Sequence, residues 1–99
     1  MKYRVRLLRR AQRDLMEIHR YLVRDSPETA QGVVVALLGA LDSLDELALR
    51  GAMPRDETLR RLGFRYRVVA PRLIFYKVVG REVRVYRVLH GKRAYQDLL

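Results

Sequence analysis

Ninety-nine residues give one domain with a single modest core, and a formal charge of +10, from 21 Lys and Arg against 11 Asp and Glu, is large for that length. With no cysteine there is no disulfide framework, thiolate nucleophile or thiolate-bound metal; the two histidines lack an H-E-x-x-H or similar spacing, so no metal and no other cofactor is expected. The charge points to phosphate or an acidic protein as partner. The absence of an apolar leader, and of any apolar run near the roughly 20 residues of a membrane span, predicts a soluble cytoplasmic protein with no membrane partner.

Residues 2–8 alternate Tyr3, Val5 and Leu7 with Lys2, Arg4 and Arg6, the period of a half-buried strand. From Arg9 the period changes: Ala11, Leu15, Ile18 and Leu22 recur at helical spacing, and Asp14, Glu17 and Arg20 fall elsewhere on the wheel. "DSPE" stops the chain and restarts it, with Ser26 as N-cap, Pro27 at the first helical position and Glu28 complementing the dipole. A second helix follows with Ala30, Val34, Leu37, Leu41, Leu44 and Ala48 on one stripe, and Gly51 is placed to end it. So short a connection folds the two helices into an antiparallel hairpin. Gly32 and Gly39 cost about 1 kcal/mol each in a helix, for which close packing on the first helix would compensate. Val33, Val35 and Leu38 widen the apolar face, either because the helix is buried on two sides or because a groove awaits a partner chain.

After the polar stretch "AMPRDETLRRLG" come three strand-like runs, "FRYRVV", "RLIFYKVV" and "EVRVYRVL". Ala70-Pro71 marks the first turn, and Gly80-Arg81 suits a type II′ hairpin. The predicted fold is α+β with the order βααβββ. A helical hairpin packs on one face of a small, mainly antiparallel sheet, and a short C-terminal segment follows. Charge divides unevenly along this order. Residues 1–24 carry about +6, residues 25–49 about −5 and residues 50–99 about +9. With the hairpin on one face, the basic groups of "RRLGFRYR" and "RVYRVLHGKR" are expected on the other face and its rim.

"RLLRRAQRDLMEIHRYL", "SPETAQ" with its long helix, "DETLRRLGFRYRV", "RLIFYKV" and "VRVYRVLHGKRAY" together resemble the RelE/ParE superfamily of toxins from type II toxin–antitoxin, or plasmid-stabilisation, modules. The resemblance covers nearly the whole chain. It rests most on the A-x-x-DL-x-x-I-x-x-Y pattern of Ala11, Asp14, Leu15, Ile18 and Tyr21 and on the closing RVLHG-x-R. It implies a growth-arresting toxin held inactive by an acidic ParD- or RelB-like antitoxin encoded beside it, with operator DNA contacted only through that antitoxin. Two targets are implied: RelE-like members cut messenger RNA in the ribosomal A site without a metal, and ParE-like members inhibit DNA gyrase. The long hairpin and the DL-x-x-I-x-x-Y pattern lean toward the ParE-like side.

Metal-free RNA cleavage needs a base for the 2′-hydroxyl, a cation for the phosphate and an acid for the leaving oxygen. In the nuclease reading Glu57 is the base, Arg65 or Arg72 holds the phosphate, and His90, Arg93 or Tyr95 serves the leaving group. In the non-enzymatic reading Arg65, Arg67, Arg84, Arg87, Lys92 and Arg93 grip an anionic target. The antitoxin would cover Leu15, Ile18, Leu22, Val33, Val35 and Leu38. Against a nuclease, the only lysines are Lys2, Lys77 and Lys92, and arginine does not accept protons. Arg87 and His90, three apart, face opposite sides of a regular strand and share a site only if the strand breaks near Leu89. Plainer roles compete throughout: Glu57 paired with a nearby Arg, His90 bonded to backbone, and Tyr66, Tyr76 and Tyr86 packing the sheet. Non-enzymatic inhibition is preferred, and a simple nucleic-acid-binding module ranks last for want of a helix-turn-helix, RRM or zinc signature.

Overall fold

The computed structural model of the chain describes residues 2–91 and 99. The elements are β1 (Arg4–Leu7), α1 (Arg9–Val23), α2 (Pro27–Leu47), a 3-10 turn (Ala48–Arg50), α3 (Glu57–Arg61), β2 (Phe64–Val69), β3 (Arg72–Val79) and β4 (Glu82–His90). This is the expected α+β arrangement, with the helical hairpin on an open four-stranded sheet ordered β1-β4-β3-β2. Among the described residues only the β1–β4 pairing is parallel. The short α3 inside the polar stretch was not expected, although its caps are written there: Asp56 accepts from Leu59 N–H at 2.9 Å, and Gly63 follows at φ 88°.

The turns and caps form as their residues dictate. Ser26 Oγ accepts from Thr29 N–H at 3.2 Å, with Pro27 opening α2. Ala70-Pro71, a cis peptide, joins β2 to β3. In the next turn Gly80 takes φ 61° while, among the described residues, no non-glycine φ is positive, as a type II′ loop requires. The main core lies between hairpin and sheet, where Leu37, Leu41 and Leu44 meet Ile74, Tyr76, Val83, Val85 and Val88. A second cluster on the other face joins Leu59 of α3 to Phe64, Phe75 and Leu89, with Leu99 packed against it.

Three sequence expectations are corrected. Gly32 and Gly39 do not serve close packing on α1, because a Cβ at either would meet nothing within 4 Å. Gly51 does not end α2 by a left-handed turn; its φ is −64°, which any residue adopts. It must be small because a Cβ there would lie 1.9 Å from Tyr76 Oη, and that hydroxyl donates to Ala48 C=O at 2.6 Å. Asp14 is not on the solvent side of α1 but buried beside Ala11. The break near Leu89 that would let Arg87 and His90 share a site is not there; the irregularity of β4 falls at Tyr86, where Phe75 pairs with Arg87 and Tyr76 with Val85, so Tyr86 is the extra residue of a bulge. Val83, Val85 and Val88 therefore all reach the main core, and the strand runs on through His90.

Candidate functional site

Asp14 and Arg87 fasten α1 to β4. Arg87 Nε donates to Asp14 Oδ2 at 2.7 Å and Nη2 to Oδ1 at 3.0 Å, while Val88 N–H donates to Oδ2 at 2.9 Å. β1 pairs with β4 only as far as Val85, and the Asp14 carboxylate satisfies strand edge beyond that point. Arg87, expected on a target-binding surface, is 6% exposed and spent on this contact. The same fastening shapes a cleft of about 340 Å3 in which Tyr21 and Glu17 of α1 face Arg72 and His90. Those last two are cross-strand neighbours at the end of β3 and β4.

The other nuclease candidates lie elsewhere. Glu57 opens α3 and forms an exposed i,i+4 pair with Arg61 at 2.6 Å. Arg65 and Arg67, expected on the sheet's free face, alternate instead with Phe64 and Tyr66 and point toward the hairpin side. Arg65 Nη1 donates to Leu49 C=O and Gly51 C=O, each at 3.2 Å. Arg65 pairs with Tyr76 and His90 with Arg72, four positions apart along β3. On the dimensions of a sheet, the Arg65 and Arg72 backbones are therefore roughly 14 Å apart. Lys92, Arg93 and Tyr95 lie outside the described residues. Among the described residues no cluster of His, Cys, Asp or Glu could hold a metal ion, and no helix is long and apolar enough to cross a membrane.

Of the expected target-binding arginines, Arg84 is on the free face of the sheet. The register sets it between Arg6 of β1 and Lys77 of β3, with Arg4 and Glu82 one step along. Glu82 accepts from Arg84 Nε at 2.6 Å and lies 3.6 Å from Arg6 Nη1. The Arg84 hydrogen bond, helped by Arg6 and Arg4, holds the Glu82 carboxyl below its ordinary range. Lys77 Nζ is 4.5 Å from the centroid of Phe64 and 5.1 Å from that of Tyr86, whose rings meet edge to face at 5.1 Å. Lys2, Arg4 and Arg81 line an adjoining open cleft of about 530 Å3. Sequence reading missed Arg4, Arg6 and Lys77 as site candidates, because only the β1–β4 and β3–β4 registers bring them beside Arg84.

The six apolar residues expected to meet an antitoxin divide. Leu15, Ile18 and Val33 pack partly into the main core, and Leu22 is half-buried. Val35 is 60% and Leu38 50% exposed, and Met16, which was not singled out, is 60% exposed. Leu15, Met16, Val23, Val34 and Leu38 line a groove of about 480 Å3 between the two helices, with His19 and Arg20 at its α1 side. α2 is therefore buried on one side and open on the other.

Known proteins are similar in sequence and arrangement. The model of the family described as "ParE toxin of type II toxin-antitoxin system, parDE" matches residues 5–95. "Putative toxin Y4kP" of Sinorhizobium fredii (strain NBRC 101917 / NGR234) is 33% identical over 98 residues, which span 97% of this chain and 96% of that protein. Among solved structures, a chain of the chromosomal ParDE system from P. aeruginosa superposes with a TM-score of 0.74 at 25% identity, covering 90% of this chain and 96% of its own. A chain of the RelBE2 toxin–antitoxin complex from Mycobacterium tuberculosis gives 0.62 at 26% identity, covering 91% and 99%. With the family match spanning nearly its whole length, the chain belongs to the ParE toxin family of type II toxin–antitoxin systems, within the RelE/ParE superfamily.

Proposed function

We propose that this toxin arrests growth in the ParE-like manner, by gripping DNA gyrase rather than cutting RNA. One observation carries the reading: the described groups that acid–base cleavage would need are dispersed and separately engaged. Glu57 is paired to Arg61 on α3, Arg65 is bound to the Leu49 and Gly51 carbonyls of the turn beyond α2, and Arg72 and His90 sit at the far end of β3 and β4. General acid–base catalysis requires base and acid each within hydrogen-bond reach of one reacting group. The cationic row of Arg6, Arg84 and Lys77, with Arg4 beside it, offers an anionic protein surface a grip that needs no proton transfer. The open groove of the hairpin takes the apolar face of an acidic antitoxin, and operator DNA is reached only through that antitoxin. A RelE-like, ribosome-dependent nuclease is the second reading, favoured by the likeness to the RelBE2 chain.

Two assays run on one set of variants separate these readings: gyrase supercoiling, and cleavage of messenger RNA on programmed ribosomes. Glu57→Gln and His90→Ala should leave growth arrest and supercoiling inhibition nearly unchanged, whereas Arg6→Glu with Arg84→Glu should abolish both. Cutting within the A-site codon that drops about 10²-fold or more in Glu57→Gln or His90→Ala, with folding preserved, would establish the nuclease instead.

A further inference from the structure

Each helix of the hairpin turns one row of residues directly away from the core. Along α1 and its C-cap the row is Arg9, Arg13, Met16, Arg20 and Arg24, at helical spacing and all exposed, opposite the buried Ala11 and Asp14. Along α2 it is Glu28, Gly32, Val35, Gly39, Asp42 and Glu46, again all exposed, opposite the buried Leu37, Leu41 and Leu44. The rows differ in sign. α2 has no basic residue, and it has no charge at all between Glu28 and Asp42, although 32% of the chain is charged. Solvent there meets only apolar side chains and glycine around Val35 and Leu38. Among the described residues, the four arginines of the α1 row and Glu28 and Asp42 of the α2 row make no ion pair. An apolar face rimmed by uncompensated charge is an interaction surface.

The signs select its occupant. Nucleic acid, an anionic membrane or a uniformly acidic protein is drawn to the α1 row and repelled by the α2 row. A second copy of this chain presents both signs. A two-fold axis parallel to the helices sets α1 of each copy against α2 of the other and keeps every residue at its own height along the hairpin. At about 1.5 Å per residue from the turn at residues 24–26, Arg20 and Arg24 bracket the height of Glu28. Met16 stands level with Val35, and Arg9 with Asp42, each to within about one residue. Arginines therefore meet carboxylates at both ends, and apolar residues meet in the middle. Gly32 and Gly39, where a Cβ would touch nothing within 4 Å, keep the α2 row low on both sides of Val35, where Met16 of the second copy packs. Residues 9–47 carry five basic and seven acidic groups, so the self-repulsion of a +10 chain is concentrated away from this face.

We propose that the free toxin self-associates through the outer face of its hairpin, as a two-fold dimer in which the basic α1 of each copy lies on the acidic α2 of the other. Two helices side by side, about 22 Å long and about 10 Å wide each, bury roughly 400–500 Å2 per copy, near the lower limit of a specific interface, so the dimer is a weak, micromolar one. The face includes the groove assigned above to the antitoxin, so antitoxin and second copy exclude each other. In that exclusion alone the dimer rests on the antitoxin reading, and its failure leaves the gyrase reading untouched.

The test is sedimentation equilibrium of the full chain across the micromolar range. Wild type should show a monomer–dimer equilibrium that weakens as salt is added. Arg20→Glu should raise the dissociation constant about tenfold or more, because the two-fold repeats the change at both ends of the interface. Glu28→Arg should do the same, and the two together should return it to within about threefold of wild type. Leu62→Ser, exposed on α3 outside this face, should leave the equilibrium unchanged. Thermal melts at the lowest concentration, where the chain is monomeric, separate lost association from lost folding. A chain that stays monomeric throughout, whether or not the antitoxin binds at Val35 and Leu38, would overturn the proposal. So would an Arg20→Glu variant that still dimerises as wild type, a double variant no tighter than the singles, or a dimer lost in Leu62→Ser.

Discussion

Replacing Asp14 by Leu removes the acceptor of two Arg87 hydrogen bonds and one from Val88 N–H, at a site where the Asp14 and Arg87 side chains are 4% and 7% exposed. The guanidinium then stays buried without its carboxylate, which costs about 3–5 kcal/mol. A chain of this length has roughly 5–15 kcal/mol of stability in all, so the loss consumes about a fifth of it or more. In urea, with a slope near 1.5 kcal/mol/M, the unfolding midpoint should fall by about 2–3 M. Adding Arg87→Met removes the stranded charge, and the double variant should recover all but the cost of the orphaned Val88 N–H, about 1–3 kcal/mol. Circular dichroism across a urea series on the wild type, Asp14→Leu and Asp14→Leu/Arg87→Met provides the comparison. A single variant that loses under about 1 kcal/mol, or a double variant as unstable as the single, would refute the view that the buried pair is what fastens α1 to β4.

Gly51→Ala should destabilise by about 1–3 kcal/mol, since its Cβ collides with Tyr76 Oη, whereas Gly32→Ala and Gly39→Ala meet no neighbour and should each stabilise α2 by up to about 1 kcal/mol. Thermal melts of the three variants would expose the reasoning if all moved in one direction. Burial pushes the Tyr76 phenol above its ordinary 10.0, against the pull of Arg65 and Arg67. Above that pH the folded chain therefore retains a proton that the unfolded chain has lost. The contribution is intact below pH 10 and is lost as the pH rises through the folded-state value. Urea midpoints measured upward from pH 9 should fall more steeply in wild type than in Tyr76→Phe, and parallel curves would contradict this. Val35→Asp and Leu38→Asp, on exposed positions, should leave folding within about 0.5 kcal/mol of wild type but weaken binding of the antitoxin encoded alongside by about tenfold or more. Calorimetric titration showing unchanged affinity would remove the hairpin groove from the antitoxin interface.

The architecture was legible because local period and turn chemistry agree. Tyr3, Val5 and Leu7 mark a strand, Ser26-Pro27 restarts a helix, and Gly80-Arg81 closes a hairpin, each through forces acting within a few residues. The site was less legible, because its facts are long-range. Asp14 looks like a solvent-facing carboxylate until Arg87, 73 residues on, is placed against it. Arg65 and Arg67 were assigned to the wrong face because which side of β2 the hairpin covers depends on the whole sheet. The bulge at Tyr86 gave no warning in a run of alternating residues, and it alone brings Val88 back to the core after Val83 and Val85. α3 was missed for a different reason: five residues are too few to show a period, though Asp56 and Gly63 carried its start and stop.

Because among the described residues β1 is flanked only by β4, Arg4 beside Glu82, a long stretch that holds every other element separates the two strands that must meet. During synthesis the first strand therefore waits, with Val5 and Leu7 uncovered, until β4 has been made and has left the ribosome. The helical hairpin can form early, but the sheet on which it packs cannot be complete while most of the message is still being read. A cell translating this toxin thus meets its finished surface only after β4 has left the ribosome. Over that interval the open groove of the hairpin stands exposed before the toxin has its full fold.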